Sequence, residues 1–268
     1  MTALRFTLLG TGSSGGVPRI GNDWGACDPT EPRNRRRRCA LLMAREADDG
    51  ACTTVLVDAG CDMREQLIDA RVHRLDGVVI THAHADHIFG LDDLRQLKIR
   101  MRECVDVYLD DATSARVMQA FDYCFRQPEG SSYPPICIEH RIEADIPFAV
   151  DGAGGPLSIR PLQVEHGDIH ALGVRVGGFA YVPDIKTVLR APSREALSGL
   201  DVLVLDALRR SPHPSHLNVD EALALIDELR PRRTVLTNIH TDLDYATLSA
   251  ELPDGIEVGY DGLEIVLN

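Results

Sequence analysis

The amino-acid sequence predicts an α/β protein in which layered sheets are enclosed by helices. Short segments rich in β-branched residues alternate, in both halves of the chain, with segments that carry apolar residues at three- and four-residue spacing. Residues 77–80 and 202–205 are apolar almost throughout, which is expected of strands whose two faces are both covered. Together these observations favour sheets packed between layers of helix.

Strands are predicted where short β-branched segments are bounded by Gly, Pro or Asp. In chain order they are Leu4–Leu9, Cys39–Ala44, Thr53–Asp58, Gly77–Thr81, Val105–Leu109, Leu157–Val164, Gly173–Val176, Phe179–Val182, Asp201–Asp206, Thr234–Asn238 and Leu263–Leu267. Helices are predicted where apolar residues recur every three or four positions, at Met63–Arg71, Leu91–Arg102, Ala112–Phe125, Val219–Arg230 and Tyr245–Leu252. Asn218 or Asp220 is a suitable cap for the fourth helix, and Pro231 ends it.

A single domain spanning residues 1–268 is predicted, because no low-complexity linker or short repeat divides the chain. Residues 126–156 are the least regular stretch, with Gly and Pro clustered near both ends. We interpret this stretch as the join between two halves or as a lid.

The charge balance excludes several functional classes. The chain has 28 Lys and Arg against 41 Asp and Glu, a formal net charge of −13, so a surface for extended nucleic acid is not expected. No run of about 18 apolar residues is present, and the first residues lack the basic start and apolar core of a signal peptide. The seven scattered Cys fit reduced thiols better than a disulfide framework. A cytoplasmic protein that does not bind membranes is therefore predicted.

The strongest chemical signal is the motif H-x-H-x-D-H formed by His82, His84, Asp86 and His87, directly after a predicted strand. On an extended chain His82 and His84 point to the same side, and a turn after them lets the next two side chains face the same concavity. Imidazole and carboxylate ligands suit zinc, manganese or iron, and two such sets hold two ions. The motif therefore predicts a metal site at the end of this strand.

Three further candidate ligands lie where other predicted strands end. They are His166, Asp184 and His240. Because strand ends that meet at one rim are where α/β proteins build their sites, we place these residues with the motif, although each alone is a weak signal.

The H-x-H-x-D-H motif, followed in order by a lone His, an Asp and a last His, resembles the metallo-β-lactamase superfamily over nearly the whole chain. The resemblance implies a four-layer αβ/βα sandwich of two similar halves. It also implies two metal positions, one held by His82, His84 and His166, the other by Asp86, His87 and His240, with Asp184 bridging them.

Three stretches are similar to the phosphodiesterase branch of that superfamily, which includes tRNA 3′-processing endonucleases and phosphoribosyl cyclic phosphate phosphodiesterases. They are the Gly-rich residues 8–18, the segment 28–36, and residues 214–222, which resemble the segment that carries the branch's catalytic His.

Two departures from that branch bear on the metal assignment. Only Cys27 is present where the phosphonate-pathway members cluster cysteines around a structural zinc, so whether Cys27 joins any metal site is left open. The closing segment has Asn238 and His240 where those enzymes place two His three apart. We assign the last metal ligand to His240. Asn238 is the departure from the pattern that counts against this assignment.

The predicted function is a dinuclear metal-dependent hydrolase, in particular a phosphodiesterase that cleaves a small cyclic phosphate or nucleotide-like ester. Two divalent ions, zinc or manganese, would generate a metal-bridging hydroxide that attacks phosphorus. Asp184 would keep the ions together, and Asp86 would also orient the water. His216 is the candidate acid for the leaving oxygen, and His213 competes for that role.

Substrate contacts are predicted at Ser13 and Ser14 of the Gly-rich loop, at His213, and at Arg33 and Arg35 of the only dense basic run. Backbone N–H groups of a Gly-rich loop can approach a phosphate, and a guanidinium fork matches its oxygens. Both features also have structural explanations, the loop as a tight turn and the arginines as a solvated face.

Two alternative functions use the same core. A tRNA 3′-processing-type endonuclease shares the metal ligands, but the acidic charge opposes a large polyanionic substrate. A non-catalytic nucleotide- or metal-binding protein would keep the ligands without turnover. The partner that we predict is a small phosphate-ester substrate. A homodimer of this chain is compatible with the sequence.

Overall fold

The computed structural model describes residues 3–268, in which helices enclose two facing sheets. The strands are β1 (Ala3–Gly10), β2 (Ala40–Glu46), β3 (Cys52–Val57), β4 (Gly77–Val79), β5 (Val105–Leu109), β6 (Cys137–Arg141), β7 (Phe148–Val150), β8 (Leu157–His166), β9 (Ile169–Val176), β10 (Phe179–Val182), β11 (Val202–Asp206), β12 (Arg233–Thr237), β13 (Ile256–Val258) and β14 (Glu264–Leu267). The helices are α1 (Met63–Asp69), α2 (Ala85–Ile88), α3 (Leu94–Met101), α4 (Asp111–Phe125), α5 (Ala191–Ala196), α6 (Val219–Leu229) and α7 (Tyr245–Glu251). None of these helices is long and apolar enough to cross a membrane.

Each sheet has seven strands, and the chain passes from the first sheet to the second between β6 and β7 and returns between β13 and β14. The strand orders are β14-β1-β2-β3-β4-β5-β6 and β13-β12-β11-β10-β9-β8-β7. An apolar layer fills the space between the sheets, where the rings of Phe6 and Phe179 stack with their centroids 3.7 Å apart. Two further apolar layers separate each sheet from its helices. The prediction of a four-layer αβ/βα sandwich is confirmed.

The three strands that the sequence analysis missed lie at sheet edges. These are β6, β7 and β13. Edge strands tend to be short and to carry charged residues, and β6 reads Cys-Ile-Glu-His-Arg, which has no apolar alternation. Helices α2 and α5 were also missed, because four and six residues are too few to display a helical period.

Three predicted strands end earlier in the structure, where the chain enters the site; the strand predicted at Thr53–Asp58 ends at Val57. The strand predicted at Gly77–Thr81 ends at Val79, and the strand predicted at Thr234–Asn238 ends at Thr237. Asn238 adopts a left-handed backbone conformation with φ 62°, which turns the chain out of the sheet. The helix predicted at Leu91–Arg102 begins instead as a short 3₁₀ turn before α3.

The N-terminus of α6 fixes the segment before it. Asn218 accepts a hydrogen bond from the backbone N–H of Glu221 at 2.8 Å, and Glu221 accepts one from the backbone N–H of Asn218 at 2.9 Å. This capping box identifies Asn218, rather than Asp220, as the cap. Lys186 donates to both Glu221 and the carbonyl of His216, so the cap also anchors the loop that carries this histidine.

The carboxyl ends of the parallel strands bring the polar segments to one rim. In the first sheet β3, β4 and β5 run parallel, and in the second β10, β11 and β12 do so. The loops after β3 and β4 carry Asp58 and residues 81–87, while Asp184, Asp206 and Asn238 lie at the ends of the second set. The site is therefore assembled from both sheets.

Candidate active site

Three imidazole rings converge at this rim. Nδ1 of His84 lies 2.9 Å from Nε2 of His82 and 3.2 Å from Nε2 of His166. Nitrogen donors placed tetrahedrally at about 2.0–2.1 Å from a metal ion are about 3.3 Å from each other. The spacing of the three nitrogens therefore suits a single tetrahedral ion with one position left for another ligand.

A second group of donors adjoins the first and shares Asp184 with it. Nε2 of His87 lies 3.4 Å from Oδ2 of Asp86 and 3.3 Å from Oδ2 of Asp184. The other oxygen of Asp184, Oδ1, lies 3.8 Å from Nε2 of His166. The two oxygens of one carboxylate thus face the two donor groups, which is the arrangement that a bridging ligand requires.

The electrostatics of these donors fit a bound cation. Burial lowers the pKa of His82 and His166, so both rings are neutral near pH 7 and offer lone pairs. Burial opposes the charge of Asp184, but neighbouring imidazoles, above all His87, hold the pKa of this carboxyl well below its usual range. Its Oδ2 atom is buried and has no hydrogen-bond donor in the part of the chain that the structure describes. A buried carboxylate oxygen without a donor is what a divalent ion would complete.

Asp58 orients the candidate metal ligand His87 directly and His82 through the neighbouring residue Thr81. Its Oδ2 atom lies 2.7 Å from Nδ1 of His87, which leaves Nε2 of that ring facing Asp86 and Asp184. Asp58 also accepts hydrogen bonds from the backbone and hydroxyl of Thr81, the residue before His82. Carboxylates that hold a ligating imidazole in this way raise its basicity and fix its direction.

A histidine–carboxylate pair stands beside the donor groups. Nδ1 of His216 lies 2.8 Å from Oδ2 of the buried Asp206 and 3.8 Å from Oδ1 of Asp184. Burial alone would lower the pKa of His216, but the hydrogen bond to Asp206 and the charges of Asp206 and Asp184 outweigh it and raise the pKa. With Nδ1 held by Asp206, the remaining nitrogen, Nε2, is the one free to donate a proton. His166, Asp184 and His216 also lie close enough to act as one donor group.

One cavity of about 450 Å³ contains the exposed side of this arrangement. His84, Asp86, His166, Asp184 and His216 line one part of it. Ser13, Ser14 and His213, three of the predicted substrate contacts, line it as well. The hydroxyl of Ser13 is buried and has no hydrogen-bond partner among residues 3–268, so it is available to a bound ligand.

Arg33 and Arg35 are not brought to this cavity. They line a separate one with Arg37 and several carboxylates. Arg33 pairs with Glu31, Nε to Oε1, at 2.7 Å and lies over the ring of Tyr245, 4.0 Å from its centroid. The prediction that these two arginines contact the same substrate as the metal ligands therefore lacks geometric support, because neighbours in sequence at 33–38 point to different surfaces.

At the closing segment the structure brings Asn238, and not His240, to the donor groups. The side-chain nitrogen of Asn238 lies 3.3 Å from Oδ1 of Asp184 and 3.2 Å from Nδ1 of His216. His240 lines the same cavity, but its Nδ1 contacts Asp242 and its Nε2 contacts Arg19. It belongs to none of the donor groups formed within residues 3–268. Its assignment as a metal ligand stays a prediction that this geometry does not favour.

The thiol of Cys27 contacts a backbone carbonyl and a buried arginine. Its Sγ atom lies 3.4 Å from the carbonyl oxygen of Thr241 and 3.7 Å from Nη1 of the buried Arg36. Burial raises the pKa of this thiol, although Arg36 opposes the shift. Within residues 3–268, Cys27 joins no group of donors with metal-binding spacing.

Four residues of the site were missed by sequence reasoning. Asp58 and Asp206 each follow a run of apolar residues, in Val-Leu-Val-Asp and Val-Leu-Val-Leu-Asp, and this position at the end of a buried strand is the signal that would have found them. Arg19 and Arg209 line the cavity but lie in irregular segments with no periodic or motif signal.

Comparison with known proteins identifies the family of this chain. A family model described as "Beta-lactamase superfamily domain" matches residues 53–239. A solved structure described as a new diphosphatase from the PhnP family is 33% identical, with a TM-score of 0.87, and the match covers 100% of this chain and 98% of that one. The short form of human tRNase Z is 17% identical with a TM-score of 0.62, over 97% of this chain and 98% of that one, a likeness of fold alone. The resemblance drawn from the sequence is confirmed.

A curated relative carries a different name. An octanoyltransferase of Porphyromonas gingivalis (strain ATCC BAA-308 / W83) is 32% identical over 270 residues, which cover 99% of this chain and 52% of that protein. This chain thus spans about half the length of that relative.

Proposed function

The chain belongs to the β-lactamase superfamily and has the fold of a metallo-β-lactamase hydrolase, and from this we propose that it is a metal-dependent phosphodiesterase acting on a small phosphate ester. The substrate class is a cyclic phosphate or a nucleotide-like phosphodiester. The single observation that supports this most is the position of Asp184, whose two oxygens face two donor groups beside His216 in one cavity.

The donor set accommodates two divalent ions, zinc or manganese. His82, His84 and His166 would hold the first ion, Asp86 and His87 the second, and Asp184 would contact both. Bound ions of this kind polarise the phosphate oxygens and lower the pKa of a water molecule. The second position then has His87 as its single imidazole ligand and lacks the imidazole of His240 that the sequence-based assignment included, because the amide of Asn238 lies beside Asp184. We therefore propose that the second ion binds more weakly.

His216 acts as the general acid. Asp206 holds its Nδ1 atom, so Nε2 faces the cavity and donates a proton to the departing alcohol oxygen. The hydrogen bond to Asp206 and the charges of Asp206 and Asp184 raise the pKa of His216, which favours the protonated form that a general acid requires. His213 stands next to it, with ring centroids 5.0 Å apart, but lacks a carboxylate partner within residues 3–268 and has a pKa lowered first by burial and then by His216. These differences favour His216 over His213 as the acid.

The test is hydrolysis of thymidine 5′-(p-nitrophenyl phosphate) by protein loaded with zinc or with manganese. Turnover is expected with at least one metal, and it is expected to be lost in Asp184→Ala. His73→Ala is the matched control, because His73 is exposed and lies away from the cavity, so this variant should retain activity. Absence of turnover with every divalent ion tried would overturn the proposal.

A second candidate, hydrolysis of an octanoyl ester or thioester, is favoured by the similarity to the octanoyltransferase. Metal-assisted attack at an acyl carbon uses the same kind of centre. Against it, the cavity is lined by Arg, His and Ser side chains, which suit a phosphate better than an eight-carbon chain. The transferase activity of that relative can belong to the half that this chain does not span.

A further inference from the structure

A mostly buried carboxylate outside the candidate active site joins three segments of the chain. It belongs to Asp261, which lies in the turn between β13 and β14 and has a side chain only 12% exposed. Its Oδ1 atom accepts hydrogen bonds from the backbone N–H and the hydroxyl of Thr11, at 3.0 and 2.9 Å. Its Oδ2 atom accepts one from the backbone N–H of Arg37 at 2.8 Å and one from Nε of Arg37 at 3.3 Å. The carboxylate thus ties the C-terminal turn to the Gly-rich loop and to the segment before β2.

Thr11 carries this connection on to the cavity that holds the candidate metal ligands. Its carbonyl accepts a hydrogen bond from the backbone N–H of Ile239 at 2.8 Å, and the carbonyl of Ile239 accepts one from the backbone N–H of Ser13 at 3.2 Å. Ser13 lines the cavity, and so does Asn238, which directly precedes Ile239. Thr11 therefore lies where the Gly-rich loop and the closing segment pair with each other.

Asp261 itself lines a different cavity, of about 550 Å³. Burial raises the pKa of Asp261 to about 6, and the hydrogen bonds from Arg37 and Thr11 oppose this shift. The carboxylate is therefore ionised at neutral pH, where both of its oxygens accept hydrogen bonds. A proton bound at lower pH turns one of these oxygens into a donor. The charged and titratable groups near it are Arg36, which is buried, and the residues that share its cavity, Arg33, Arg35, Arg37, Asp62, Glu65, Asp69 and Tyr260.

We propose that Asp261 is a positioning residue of the candidate active site, which holds Thr11 and thereby fixes the Gly-rich loop against the closing segment. This inference rests on the proposed function and assigns a further residue to the same site. Asp261 acts through Thr11, and the effect at the cavity is the placement of Ser13 and Asn238. The Gly-rich motif and the basic run then share one structural role, because each supplies hydrogen-bond donors to the same carboxylate.

Asp261→Asn tests this role, because it keeps the size of the side chain but replaces one accepting oxygen with an amide that donates. On metal-loaded protein with thymidine 5′-(p-nitrophenyl phosphate), kcat is expected to fall about tenfold with less change in KM, since small displacements of groups around the reacting phosphate slow the reaction. Asp69→Asn is the matched control. Asp69 accepts a hydrogen bond from Nη1 of the same Arg37 at 2.7 Å, but its side chain is exposed, so this variant should retain the wild-type kcat.

The contact is also tested from the side of Thr11. Thr11→Val removes the hydroxyl donor at nearly constant size and should lower kcat about threefold, while Thr11→Ser keeps the donor and should restore the wild-type value. These two variants test the same contact if Asp261→Asn folds poorly. Equal kcat in Thr11→Val and wild type would overturn the inference.

The pH dependence gives a readout that a purely structural role would not change. The ratio of kcat/KM between wild type and Asp261→Asn cancels the titration of the candidate metal ligands, which both proteins share. Because asparagine resembles the protonated acid, this ratio should be about ten above neutral pH. It should approach one as the pH falls through about 6. A ratio that stays constant over this range would overturn the inference.

Hydrogen exchange followed by mass spectrometry separates this inference from the proposed function, since it needs no turnover. In Asp261→Asn, exchange is expected to rise about threefold or more in peptides that contain residues 10–14 or 238–241, and to stay at the wild-type rate in α4. If the wild type hydrolyses no ester but these peptides exchange faster in the variant, the positioning contact stands and the phosphodiesterase does not. Unchanged exchange in both peptides, or an equal rise throughout the chain, would overturn the positioning role.

Discussion

The two ends of the cavity are built in different ways. At the end with the candidate metal ligands, charged side chains are compensated by one another, and the buried carboxylates of Asp58 and Asp206 hold His87 and His216 from behind. At the other end, Arg19 and Arg209 have neutral partners and keep their charge. The difference indicates that the first end is organised to hold cations in fixed positions, while the second presents two guanidiniums that neutral partners hold at the cavity wall.

The largest expected effect comes from breaking the first end at Asp184. Replacing it with alanine removes the carboxylate that faces both donor groups, so kcat/KM for the nucleotide aryl ester should fall by about a thousandfold or more. Metal content, measured by mass spectrometry on protein purified without chelator, should fall in the same variant. Arg19→Ala, at the other end, should keep its metal content. Full metal content in Asp184→Ala would contradict the role of Asp184 as a shared ligand.

The next largest effect is expected at His216. His216→Ala should lower kcat by about 10²- to 10⁴-fold for an alkyl leaving group and by much less for p-nitrophenolate, which needs no protonation. Because the acid form is required and the pKa of His216 is raised, activity should persist to higher pH than a free histidine would allow, then fall as pH rises through that pKa. The pH–rate profile of His216→Ala should lack this fall. An unchanged profile would assign the proton to another group.

A smaller effect, on metal affinity, is expected at Asn238. Asn238→His places an imidazole beside Asp184, and the second ion should then bind about tenfold or more tightly. Titration of metal-free protein with zinc or manganese, followed by calorimetry, measures the two affinities separately. His240→Ala serves as the comparison, since its ring faces Arg19 and Asp242, and its loss should leave both affinities unchanged. Loss of the second ion in His240→Ala would instead support the sequence-based assignment.

The smallest effect is expected from weakening the contacts that hold Arg19 at the cavity wall. Asp242→Asn weakens the contact that orients His240 toward Arg19, so KM for the nucleotide aryl ester should rise about two- to fivefold with little change in kcat. Steady-state kinetics of the metal-loaded variant measure both constants. An unchanged KM would separate Asp242 from substrate binding.

The same comparison shows what the sequence can and cannot reveal. The H-x-H-x-D-H motif is local, so the convergence of His82, His84 and His87 follows from the strand and turn that carry them. Strand-end positions correctly brought His166 and Asp184 to the same rim. Arg19 and Arg209, in contrast, line one cavity although they lie in irregular segments far apart in the chain, and nothing in their local sequences signals this.

The closing segment shows a further limit. Asn238 and His240 are two residues apart, and which of them faces the metal ligands depends on the left-handed turn at Asn238. Residue type favoured His240, while backbone geometry favours Asn238. The edge strands β6, β7 and β13 were missed for a related reason, since their exposed sides remove the alternation by which strands are recognised.

The most direct test of the proposed chemistry compares two substrates on one preparation of metal-loaded protein. The value of kcat/KM is measured for thymidine 5′-(p-nitrophenyl phosphate) and for an octanoyl thioester. A phosphodiesterase should favour the phosphodiester by at least about a hundredfold, and Asp184→Ala should abolish both activities. A higher kcat/KM for the octanoyl thioester would contradict the proposal and assign the centre to acyl hydrolysis.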